Sequence, residues 1–111
     1  MEIKTDDEEY DRRQRTLMYA IIRFTKDRFE AAKLPKEQVK SLSTEIAFTV
    51  ASIVDGSQLL YQRSSGKRLQ PVLMFADDVD CQQLVASSGG SSSMHEYAHA
   101  IVDRVFEQKS A

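Results

Sequence analysis

Five consecutive residues, His95-Glu96-Tyr97-Ala98-His99, have the types and spacing to do chemistry. Two His four positions apart on an α-helix point the same way and can ligate one Zn²⁺, while a Glu between them can take a proton from metal-bound water. On that reading His95 and His99 are metal ligands, Glu96 is the general base, zinc is the cofactor and the reaction is hydrolysis. A catalytic zinc ordinarily takes three protein ligands. Asp103 lies about 12 Å along the helix axis from His95, at 1.5 Å per residue, an awkward span for one tetrahedral ion. Asp77, Asp78, Asp80 and Cys81 are plausible ligand types provided the fold returns them to the last helix.

Over these five residues the chain resembles the zincin peptidases, which implies zinc at His95 and His99 with Glu96 as base. The resemblance stops there: the longer zincin pattern has Gly where Val102 stands and a third His where Val105 stands. The same residues support a structural reading. Ser93-Met94-His95-Glu96 has the form of a capping box, in which the Ser hydroxyl and the Glu carboxylate tie down a helix's first turn. At 100° per residue the apolar side of this helix centres near Ala98 and Val105, with the two His at its flank and Glu96 opposite, toward water. Structural histidines are therefore the preferred reading, with no cofactor expected, and the zinc hydrolase is the alternative.

Three other stretches invite the same weighing. Residues 87–93, Ser-Ser-Gly-Gly-Ser-Ser-Ser, have the composition of a flexible loop. Amides and hydroxyls ahead of a helix can hold an anion, but the loop lacks a P-loop Lys and a Gly-x-Ser-x-Gly nucleophile. Asp77-Asp78-Val79-Asp80 reads as a turn after a strand, without the length or glycine of a calcium loop. Arg63, Lys67 and Arg68 with Tyr61 make a small basic-aromatic patch around a turn, and strand edges there could recruit a partner.

The elements that position these residues follow from periodicity. Thr5 to Glu8 has capping-box form and places a helix start near Asp6, leaving residues 1–5 as a flexible beginning. Glu8 with Arg12, Glu9 with Arg13 and Asp11 with Arg15 are spaced for ion pairs. Leu17, Met18, Ile21, Ile22, Phe24, Phe29 and Ala32 form its apolar stripe. Pro35 suits the first turn of a second helix, carried by Val39, Leu42, Ile46, Ala47, Val50, Ile53 and Val54 and stopped at Asp55-Gly56. Gln58 to Arg63 and Lys67 to Ala76 read as a β-hairpin about Ser64-Ser65-Gly66, and Pro71 puts the second strand at an edge or a break. Gln82 to Ser87 is a candidate third strand, and Met94 to about Gln108 forms a closing amphipathic helix. The fold class is α+β: an N-terminal helical hairpin, a small antiparallel sheet and a C-terminal helix, in one domain spanning 1–111.

Composition bounds the function. With 41% apolar and 29% charged residues the chain should fold. Its net charge of −2 comes from interleaved acids and bases, which disfavours nucleic acid as a partner. One cysteine excludes a disulfide framework and fits the reducing cytoplasm. The acidic start, Met1 to Tyr10, has no signal-peptide pattern, and no apolar run approaches the roughly 18 residues that span a bilayer. A small domain gains from subunit pairing. The expected function is a non-catalytic protein-interaction domain, homodimeric, with the hairpin as contact surface.

Overall fold

Helix α1 (Asp7–Ala31) begins where Asp6, in extended backbone, turns its carboxylate onto the Glu9 N–H at 3.1 Å. In this computed structural model, which describes residues 2–77 and 82–107, Thr5 is not the cap the sequence suggested. It ends a strand, β1 (Glu2–Thr5). Asp7, Glu8 and Glu9 lie at the positive end of the helix dipole. Arg12 and Arg13 converge on Glu9 at 3.2 and 3.7 Å, and Arg15 meets Asp11 at 3.0 Å. After Ala31 the chain reverses through Lys33, whose φ is 61°, and Pro35 stands just ahead of α2 (Lys36–Val54) as its N-cap. That helix stops as expected, with Asp55 at its end and Gly56 in the left-handed region at φ 81°.

The core forms where α1, α2 and the C-terminal helix meet: Met18 and Ile22, Ala47 and Ala51, then Met94, Ala98, Ile101, Val102 and Val105. On α2 the buried line is Val39, Ser43, Ala47 and Ala51, a small-residue seam with a period of four that lets its neighbours approach closely. Phe24, expected in the apolar stripe of α1, is 69% exposed. It lies two residues, or 200°, around the helix from buried Ile22, so the side facing the core cannot include both.

The strands depart from the expected pairing in instructive ways. A hairpin does form, from β2 (Leu60–Tyr61) and β3 (Arg68–Leu69), antiparallel, with Gly66 at φ 70° in its turn. The predicted long second strand is split after β3, however, and Pro71, with no N–H to give a ladder, lies in the gap. Its remainder, β4 (Phe75–Ala76), leaves the hairpin and pairs antiparallel with β5 (Gln83–Ala86), the third strand anticipated at Gln82 to Ser87. On the other side of β5 lies β1, parallel, with Ile3 opposite Leu84 and Thr5 opposite Ala86. Residues 2–5, expected to be flexible, are thus an ordered strand. Four mostly polar residues give no local strand signal, and the partner that orders them stands some 80 positions later in the sequence. The architecture is α+β, with a mixed three-stranded sheet in the order β1-β5-β4 and a separate two-stranded hairpin.

The last helical segment is in two parts: a 3₁₀ turn at Met94–Glu96, then α3 (Ala98–Glu107). Glu96 and Tyr97 donate their N–H to carbonyls three residues back, and Ile101 is the first to reach four back, to Tyr97. Gln108, the expected end, lies outside the described residues. No helix among the described residues is long and apolar enough to cross a membrane.

Candidate functional site

Asp55 organises the region around His95. Its side chain is 1% exposed at the end of α2, and both carboxylate oxygens are engaged from the segment before α3. Oδ2 accepts the His95 backbone N–H at 2.7 Å and lies 2.6 Å from His95 Nδ1, while Oδ1 accepts the Ser92 hydroxyl. An ionised carboxylate at this distance accepts from Nδ1, so in the neutral ring Nε2 is the lone-pair nitrogen. Gln14 of α1 adds a further tie, accepting the Ser93 N–H at 2.6 Å. Tyr10 stands nearby, its hydroxyl donating to the Leu73 carbonyl at 2.7 Å. Burial raises its phenol above the ordinary value; the Ser92 hydroxyl opposes that rise and the Asp55 charge adds to it.

These bonds replace the local cap that the sequence suggested. Ser93 makes no side-chain cap bond; its own N–H, which a capping box would give to Glu96, goes to Gln14, and the next free first-turn donor, the His95 N–H, goes to Asp55, 40 residues upstream. A buried carboxylate meeting free N–H groups at a helix start is favoured by the local dipole as well as by the hydrogen bonds. The sequence contained one signal for this role, since an acid at the negative, C-terminal end of a helix is electrostatically misplaced unless something else stabilises it. From the sequence alone, Asp55 reads only as a helix stop.

The motif residues lie as follows. His95 is half-buried in the 3₁₀ turn, Glu96 is exposed, and His99 is exposed in α3 beyond the junction. Phe48 of α2 stands against both imidazoles, with ring centroids 6.3 Å from His95 and 5.9 Å from His99. Asp103 is exposed and faces Lys40 at 3.5 Å. Asp77 pairs with Arg13 at 3.0 Å. Asp78, Asp80 and Cys81 lie outside the described residues, and among those described no group of three His, Cys, Asp or Glu side chains is gathered to hold a metal ion. Chemically, the arrangement supplies one imidazole of fixed orientation, with a second nearby.

A second surface is the hairpin. Leu59, Tyr61, Leu69 and Val72 are about half exposed or more, and every residue from 61 to 70 is exposed. Strands β2 and β3 contact each other and make no comparably extensive contact with a helix or with the other sheet. Arg63, Lys67 and Arg68 lie around its tip, and among the described residues none of the three enters an ion pair. No family model, curated protein or solved structure matches the chain.

Proposed function

We propose that this protein is a non-catalytic interaction domain that acts as a homodimer through the β2–β3 arm, in the reducing cytoplasm that a lone cysteine fits. The observation that carries the reading is the arm itself: two short strands which, with the residues flanking them, hold four large apolar side chains in water. An isolated two-stranded hairpin is marginal unless it is packed on something, and exposed apolar groups on a projecting edge are a surface for association.

Charge favours a second copy as the occupant. The arm carries three basic residues and no acid, which leaves the remainder of the chain at −5 for a net charge of −2. A positive arm is attracted to the acidic body of another copy, and a twofold axis uses that attraction twice. Sedimentation analysis tests this directly. The wild type should run at twice the chain mass of 12.6 kDa, and Leu69→Asp, a change at an exposed position, should run at the single mass with an unchanged circular dichroism spectrum. A monomeric wild type at high concentration defeats the proposal.

One observation favours a second reading, the zinc hydrolase. A carboxylate bonded to Nδ1 is the outer partner that commonly orients a metal-binding imidazole, and Asp55 stands in that position to His95. In this reading His95 Nε2 and His99 hold the zinc and Glu96 is the base. Elemental mass spectrometry of untagged protein is the test, with the exposed His99→Ala as the fold-preserving variant. About one zinc per chain, lost in the variant, establishes the site; a metal-free wild type with no thermal shift on adding zinc removes it.

A further inference from the structure

A cleft of about 250 Å³ opens between α1 and α3, lined by Arg15, Thr16, Tyr19, Ile101 and Arg104. Two guanidinium groups thus line a small concavity on a chain of net negative charge. Arg15 is held from two sides. Its Nε is 3.0 Å from Asp11 Oδ2, and its guanidinium carbon sits 4.8 Å from the centroid of the Tyr97 ring. The Tyr97 hydroxyl donates to the other oxygen, Asp11 Oδ1, so Asp11 is committed at both ends. A carboxylate at Nε and the Tyr97 ring and hydroxyl against the guanidinium fix its plane, and the donors that Tyr97 does not take face the cleft. Arg104, on α3, makes no ion pair among the described residues.

We propose that Arg15 and Arg104 form a binding site for a small phosphate monoester. Two guanidinium forks arriving from two helices suit a group that offers three acceptor oxygens and two negative charges. A planar carboxylate has only two oxygens and can satisfy one fork. Thr16 does not compete for the anion, because its hydroxyl already donates to the Arg12 carbonyl at 3.0 Å. Ile101 and Tyr19 give the ester's carbon portion an apolar wall. The cleft is smaller than the roughly 300 to 1,000 Å³ of drug-sized sites, so the ligand is a phosphate with few further atoms, not a nucleotide. The assignment is independent of the dimer and zinc readings, because it shares no residue with the arm or with His95.

Amide NMR of the full chain during titration with methyl phosphate, beside acetate at equal ionic strength, is the test. Saturable shifts should be confined to the neighbourhood of Arg15, Tyr19 and Arg104, with acetate at least about tenfold weaker, the scale expected for losing one charged hydrogen-bonded contact. Arg104→Ala, at an exposed position, should keep the wild-type spectrum and weaken methyl phosphate by about tenfold or more, and Arg104→Lys should recover part of that loss. The proposal fails if the shifts never saturate, if they appear equally at Arg63 and Arg68, if acetate matches phosphate, or if Arg104→Ala titrates like the wild type.

Discussion

Replacing Asp55 with Ala should cost about 2 to 4 kcal/mol in urea unfolding, because three donors from Ser92 and His95 lose a buried, charged acceptor. Asp55→Asn keeps one acceptor oxygen and should cost less; equal losses would mean that the charge contributes nothing. Ser43 is the opposite case. Its hydroxyl is buried against the helical core with no hydrogen-bond partner among the described residues, so Ser43→Ala should leave stability unchanged or raise it by up to about 1 kcal/mol, read as a higher urea midpoint. The motif His95 to His99 was legible as residues, and so were the helix stop at Asp55 and Gly56. What could not be read was their meeting, because the bond between Asp55 and His95 spans 40 positions and neither residue advertises the other. Phe48 was hidden for a different reason: it lies outside the apolar period of α2, and only the packing of α3 brings it to both imidazoles.

Helices were easier to foresee than strands, since a stripe of period 3.6 sustained over four or more turns is a strong local pattern, and strands of two to four residues carry almost none. The start of α1 shows how a distant element overrides a local one. Thr5 cannot cap because β5 draws it into a strand, and Asp6 takes its place. Asp7 then reaches the loop after β5, accepting the Ser88 N–H at 2.8 Å and the Ser88 hydroxyl at 2.7 Å, and these bonds hold its carboxyl below the ordinary 3.8. A carboxyl lowered by folding contributes stability above its unfolded pKa and loses that contribution as pH falls through the folded value. Carbon-detected titration of Asp7 should therefore give a midpoint below 3.8 that rises in Ser88→Ala; a midpoint at or above 3.8 in the wild type would show that the tie does not persist in solution. At the root of the arm, Gly56 is left-handed, and an added Cβ would meet Gln70 Nε2 at 3.1 Å. Gly56→Ala should cost about 1 to 2 kcal/mol in urea unfolding.

For the whole molecule, the dimer reading makes thermal stability a function of protein concentration, because association stabilises the folded state by mass action. The melting temperature should rise across a hundredfold dilution series of the wild type and stay flat for Leu69→Asp; a flat wild type contradicts the arm's proposed role. The α+β class was legible because composition and periodicity act over long stretches, whereas the sheet's order depends on which segment returns to which edge. The parallel pairing of β1 with β5 is the clearest instance, and it also sets a timetable for synthesis. At about 5 to 20 residues per second, a ribosome that has made residue 5 needs roughly 4 to 16 s to reach residue 83. Within that interval α1 and α2 are themselves made and can begin to coil, while the first strand waits with its backbone groups open to any other nascent chain.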